Sequence, residues 1–170
     1  YGLSLGDAGR YRDMLVVARK IISLDSNNAK AYYMQAVLAA RDGEYELASR
    51  ILPKAGSNFA QMPAAMLLNA ICAYELGNYN KAVDHLQQLL GQQPRNRRAR
   101  MLLAQALYRA GDPFGALETI REIAARPDAD SYSLMLTARA FEASDQPLRA
   151  IAPLDDAALA TVRPALPLPE

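Results

Sequence analysis

Residues 99–110 read ARMLLAQALYRA and run into Gly111-Asp112-Pro113, and this stretch decides the fold. It is rich in alanine, leucine, arginine and glutamine, all strong helix formers, and its apolar residues recur at helical spacing. Glycine accepts the left-handed conformation that follows a helix end, so Gly111-Asp112 closes the helix. Pro113 suits the first turn of a second helix, where its missing N–H costs nothing. That second helix runs to about Ala125 and stops before Pro127. Two short helices joined by so tight a turn pack antiparallel. Neither can bury its apolar face alone, so neighbouring pairs must supply the core.

The same pattern repeats at 34 residues, and the 170-residue chain is five such periods long. Gly9, Gly43, Gly77, Gly111 and Asp145 form one column, and Tyr11, Tyr45, Tyr79, Pro113 and Pro147 follow it. Small residues recur at Gly2, Ala36, Ala70, Ala104 and Ala138 on the first helix of each pair. On the second helix come Ala48, Ala82, Ala116 and Ala150, with Leu52, Leu86, Ile120 and Leu154 one helical turn later. The small residues let paired helices approach closely, and the large ones fill the space beside them.

These columns resemble the tetratricopeptide repeat family. The likeness is clearest in Ala29-Lys30-Ala31-Tyr32, Ala36, Gly43-Glu44-Tyr45, Ala48, Leu52 and Ala55, and again in Gly77-Asn78-Tyr79, Ala82 and Pro94. Asp25-Ser26-Asn27-Asn28 stands where the family usually ends a unit with Asp-Pro-Asn-Asn. The resemblance implies an all-α, right-handed superhelical solenoid of antiparallel helix pairs. The array should cover residues 1–157, with units near 1–28 (partial), 29–62, 63–96, 97–130 and 131–160 and a proline-rich tail or linker at 161–170. Helix pairs are expected near 29–42 and 44–55, 63–76 and 78–90, 97–110 and 113–125, and 131–143 and 147–160. Tyr1 and Gly2 fall within a first helix, which suggests a fragment or processed chain whose array continues upstream. Pro53 should end its helix early, with Gly56-Ser57-Asn58 as a loose connection and Pro63 restarting helix. Pro153 should kink or split the last helix.

Composition narrows the chemistry. Hydrophobic residues make up 51% and charged residues 22%, which is globular, and the net charge is +1. No global field draws the chain to nucleic acid or an anionic membrane, and no apolar run reaches the roughly 18 residues of a membrane span. Cys72 has no internal disulfide partner and occupies a packing column with Leu38, Ala106 and Ala140, so an inert buried thiol is expected. His85, beside Asp84, reads as an outward-facing surface histidine. Asp128 and Asp130 read as caps of the following helix. No set of converging nucleophiles, bases or ligands occurs, so no catalysis, cofactor or metal site is expected. The run Arg95, Arg97, Arg98 and Arg100 is the one local charge feature. It could form a basic rim that grips phosphate or an acidic peptide, the latter being favoured over nucleic acid because no aromatics interleave with it.

A second stripe on the first helices carries the binding expectation. It comprises Tyr33, Val37 and Ala40, then Leu67, Ile71 and Tyr74, then Met101, Gln105 and Tyr108, then Met135, Arg139 and Glu142, at spacings that keep each set on one helix face. The resemblance places such positions on a concave groove that holds ligand peptides. Here the stripe is apolar until Arg139 and Glu142, with Lys30, Arg41, Glu75, Arg98, Arg109 and Tyr132 around it. The family's lysine, asparagine and arginine clamp for acidic chaperone tails is replaced by Tyr33, Leu68 and Leu102, which excludes that role. The expected partner is an unidentified protein or peptide. A second copy meeting the same stripe, an accessory role in a larger chain, and occupancy by the chain's own tail through Leu166 and Leu168 are the alternatives. Fifteen arginines against four lysines and 32 alanines suggest a GC-rich bacterial coding bias. A soluble chain, cytoplasmic or periplasmic, is expected.

Overall fold

The computed structural model describes residues 5–25, 27–126 and 128–162. The half-helix expected at Tyr1 and Gly2 and the tail from 163 onward lie outside the described residues. Among those residues every regular element is helical. The helices are α1 (Leu5–Leu24), α2 (Ala29–Arg41), α3 (Tyr45–Ile51), α4 (Ser57–Ala60), α5 (Pro63–Glu75), α6 (Tyr79–Gln92), α7 (Arg97–Arg109), α8 (Pro113–Ala124), α9 (Ser131–Ala143) and α10 (Pro147–Val162). The all-α expectation therefore holds.

Each helix pair is punctuated in the same way. Gly43, Gly77, Gly111 and Asp145 all have positive φ, between 57° and 88°. The residue after each donates its N–H back to a carbonyl of the preceding helix: Glu44 to Ala39, Asn78 to Ala73, Asp112 to Leu107 and Gln146 to Phe141, at 2.8–2.9 Å. This is the left-handed helix stop that satisfies the otherwise orphaned terminal carbonyls. The starts of the first helices also repeat. Asn28, Asn96 and Asp130 each accept an N–H from three residues ahead, at 3.0, 3.0 and 2.8 Å. Met62, in the same column, has no capping oxygen, and Pro63 at the first helical position removes one donor that would need it.

The chain divides into two compact units, residues 1–94 and 95–170. In the first, α1 packs on α2, α2 on α3, both on α5, and α5 on α6. In the second, α7 packs on α8, α8 on α9 and α9 on α10, with α7 beside α9. In both, the small columns are the tightest points. Ala36, Ala70, Ala104 and Ala138 are 0% exposed, as are Ala48, Ala82 and Ala116. Leu52, Leu86 and Ile120 are buried beside them, whereas Leu154 is 41% exposed. Its column is buried where another helix packs over it, and among the described residues none packs over Leu154.

Several local expectations are modified. Gly9, in the turn column, lies inside the continuous helix α1, because no preceding described helix closes against it. Pro53 ends α3 as expected, and the chain tightens into a 3₁₀ turn, Leu52–Ala55. The loose connection then adds the single helical turn of α4 before Pro63. Pro153 does not split α10, whose helical assignment runs through it. Proline removes one N–H bond there, and the carbonyl it frees is that of solvent-exposed Arg149, which water can satisfy.

Two stability outcomes follow. Ala82→Leu overpacks a site with no free space and should lower stability by about 1–3 kcal/mol in urea titrations. An unchanged midpoint would show that the column does not set the helix contact. Asp145→Gly relieves a positive φ at a non-glycine residue and should raise stability by about 0.5–1 kcal/mol. A loss on that substitution would show that the Asp145 side chain matters more than its backbone.

Candidate functional site

The face of the first helices that does not carry the small residues stays accessible in both units. In the first, Tyr33, Leu67, Ile71 and Tyr74 are half-buried and Val37 is 37% exposed. In the second, Met101, Gln105 and Tyr108 are half-buried, Met135 is 42% exposed, and Arg139 is exposed. Partial burial has identifiable causes. Tyr33 packs on the core of its own unit and meets the Phe59 ring from α4 at 5.6 Å between centroids. That burial pushes its phenol above the ordinary value. Tyr74 meets Tyr79 edge-on at 5.5 Å, and Met101 and Tyr108 lean on the cluster of Ala104, Ile120, Ile123 and Leu136. These aromatic and methionine side chains therefore have fixed inner edges and open outer ones.

Phe59 was not legible as a neighbour of Tyr33. It lies in the connection created by Pro53, which the other repeats lack, so no periodic signal marks it. Tyr132 is a further exposed aromatic, one helical turn before Met135 on α9.

The basic run is divided by its partners. Arg97 pairs with Asp130 at 3.4 Å and Asp128 at 3.9 Å, and Arg100 pairs with Glu122. Arg95 and Arg98 are exposed. Asp130 acts as the cap of α9: it accepts from the Ser133 N–H at 2.8 Å and hydroxyl at 2.9 Å. Burial pushes its pKa up, but those bonds and Arg97 outweigh it and hold the carboxyl below its ordinary value. Asp128 is no cap; Arg126 donates to it at 2.9 Å.

Cys72 is buried and unpaired, and burial raises its thiol pKa, which disfavours the reactive thiolate. His85 is half-buried rather than outward-facing, because its position flanks the buried side of α6, and desolvation lowers its pKa. Among the described residues no group of acidic, histidine and cysteine side chains could hold a metal, and no helix is long and apolar enough to cross a membrane. An open depression of about 480 Å³ lies beside the turn between α2 and α3, lined by Tyr45, Leu47, Arg50 and Leu76 among others. It includes none of the first-helix-face residues.

Helix pairs closed by left-handed stops, locked through alanine contacts and open on one face define a helical-repeat protein. The chain resembles the tetratricopeptide-repeat proteins. A family described as "Tetratricopeptide repeat" matches residues 67–132, and one described as "Anaphase-promoting complex, cyclosome, subunit 3" matches residues 7–89. No curated protein matches the sequence. Among solved structures, "MamA MSR-1 C2" superposes with a TM-score of 0.80 at 17% identity, covering 91% of this chain and 89% of that one. "Crystal structure of MamA" gives 0.77 at 17%, covering 95% and 96%. "Crystal structure of YrrB: a TPR protein with an unusual peptide-binding site" gives 0.79 at 19%, covering 92% and 80%. At these identities the likeness is one of fold, an all-α helical-repeat solenoid. That fold supports a protein-interaction scaffold.

Asp130→Ala should destabilise the protein by about 1 kcal/mol at neutral pH, mostly through the lost cap, since the exposed pair with Arg97 adds little. A depressed carboxyl stabilises above its unfolded pKa of about 3.9 and loses that contribution as pH falls through the folded value. The difference between wild type and variant should therefore shrink below about pH 4. A pH-independent difference in urea titrations would assign the effect to packing.

Proposed function

We propose that this chain is a protein-interaction scaffold without catalysis of its own, and that it takes a peptide or helix on the apolar face of its first helices. The observation that carries the reading is the contrast within single helices. On α2, α5, α7 and α9 the small-residue column is 0% exposed, yet of the twelve stripe residues only Ala40 is buried. Within each unit, an accessible apolar face is more than a folded chain needs for itself, and it is the usual mark of an interaction site. Half-buried tyrosines and methionines suit the task. Their inner edges are already ordered, so little side-chain entropy is lost on binding, and tyrosine hydroxyls can orient a peptide backbone. The solved YrrB structure, described as having a peptide-binding site, supports the same use of the fold.

Self-association is the second reading. Exposed Val16, Val17 and Leu24 on α1 and Ile151 and Leu154 on α10 favour it. Light scattering at ~100 μM separates the two, since specific self-assembly through a standard interface would be populated there.

The test is selection of peptides from a random displayed library, followed by anisotropy titration. Selected peptides should bind at about micromolar strength, near −8 kcal/mol. Ile71→Ala with Tyr74→Ala, or Met101→Ala with Met135→Ala, should weaken binding about tenfold with helicity unchanged, the loss expected for buried anchors. Selected peptides that bind both variants normally would place the site elsewhere.

A further inference from the structure

The depression beside the α2–α3 turn lies entirely within the first unit and shares no residue with the first-helix face. Its floor is apolar. Half-buried Tyr45 and Leu47, in the first turn of α3, rest on the core of the unit, and Leu76 at the end of α5 closes the far side. Gly43 keeps the mouth open, since beyond its chain neighbours nothing lies within 4 Å of where its Cβ would stand. The rim is acidic. Glu44 and Glu46 are exposed on it. Burial, helped by the charge of nearby Glu75, raises the Tyr45 phenol above its ordinary value. Among the described residues none of these three carboxylates has an ion pair or a side-chain hydrogen bond, and neither has Arg50, the cation of the lining. The turn itself does not require this arrangement. Two periods on, the same register holds Asp112, Phe114 and Ser144. Asp112 accepts the Gly115 N–H at 2.8 Å and so caps α8, and Ser144 donates to the Ala140 carbonyl. Glu44 holds the equivalent cap position of α3 yet makes no side-chain cap. Its carboxylate is left to solvent, and Glu46 places a second one where the other unit has Phe114.

We propose that this depression docks an arginine of a partner protein, carried on an exposed segment with an apolar residue beside it. The guanidinium meets Glu44 and Glu46, while its methylene stem and the apolar neighbour cover Tyr45, Leu47 and Leu76. The volume of about 480 Å³ falls within the range of ligand pockets. Three carboxylates against one guanidinium make the site net negative, which selects a cation and disfavours an acidic segment. Arginine suits the site better than lysine, because its planar fork can bond two carboxylates at once and sheds water more easily. It also buries its stem on an apolar floor while the charged head stays at the wet rim. Carboxylates without an internal partner accept such a head without breaking an existing pair. The inference stands apart from the reading of the first-helix face and adds a docking point at the turn edge.

The test titrates the isotope-labelled full chain with acetyl-Gly-Leu-Arg-Gly-amide and with its twin carrying citrulline, the neutral isostere of arginine. The amide NMR signals of Gly43, Tyr45 and Leu76 should shift, with a Kd of about millimolar order. The Arg peptide should bind about fivefold tighter than its twin at low salt, the scale of exposed ion pairs, and lose that lead as salt rises. Glu44→Gln with Glu46→Gln should erase the lead. Arg50→Gln should tighten the Arg peptide about twofold by removing a like charge, a movement that a structural role for these residues does not produce. Met101→Ala with Met135→Ala should change nothing, so the outcome is separate from that of the groove reading. Equal binding of the two peptides, shifts confined to other residues, or a lead that survives the double glutamine variant overturns the proposal. Free arginine binding as tightly as the peptide overturns the docking segment and makes the site one for a small cation. Dimerisation in light scattering that the double glutamine variant abolishes overturns the foreign partner and puts a second copy in its place.

Discussion

Everything in this molecule depends on helices being allowed to touch. Seven alanines from two columns, Ala36, Ala70, Ala104 and Ala138 on first helices and Ala48, Ala82 and Ala116 on second ones, are 0% exposed. A residue with no side chain beyond Cβ brings two backbones close enough for Leu86 or Ile120 to fill the remaining gap without a void. Neighbouring helices then bury the larger residues in turn, as in the cluster of Ala104, Ile120, Ile123 and Leu136. Close contact on one side of the first helix also decides what the other side does. The helix has a limited circumference, and the arc opposite the alanines has nothing further to pack against within its pair.

Contact alone would let helices slide, and the turns prevent that. The four left-handed stops and the side-chain caps at Asn28, Asn96 and Asp130 recur in fixed columns. They end and begin helices at the same register, so α7 and α9 match residue for residue at a separation of 34. Precise ends convert a loose periodicity into aligned rows of side chains, and rows are what a ligand can read.

The parts legible in the sequence are those that repeat. A column of glycines with aspartate at its end announced the positive-φ stops, and the alanine columns announced burial, because repetition at one period filters chance from pattern. The Asn28, Asn96 and Asp130 caps obeyed the same period, though Met62 interrupts the column and hides it. What was not legible depends on one-off geometry. Phe59 reaches Tyr33 from a connection found in a single repeat. Arg97 and Arg100 find carboxylates 33 and 22 residues away, so a run of like charge in the sequence is partly neutral in space. Gly9 sits in the turn column yet lies within a helix, since a turn forms only where a second helix returns against the first. His85 and Leu154 differ from expectation for the same reason: their burial is set by neighbours that local sequence does not name.

Charge neutralisation of the basic run bears on selectivity as much as on stability. On the proposed reading, an apolar face lined by tyrosine and methionine would gain free energy from almost any apolar segment, and so would supply affinity with little discrimination. Arginines already paired, such as Arg97 and Arg100, add little, because a new carboxylate must displace an old one. An unpaired guanidinium acts differently. It remains hydrated in the free protein, and a segment that covers it without supplying a carboxylate removes that water and returns nothing. Any segment that covered the exposed Arg98 or Arg139 would therefore lose hydration there unless it supplied a carboxylate.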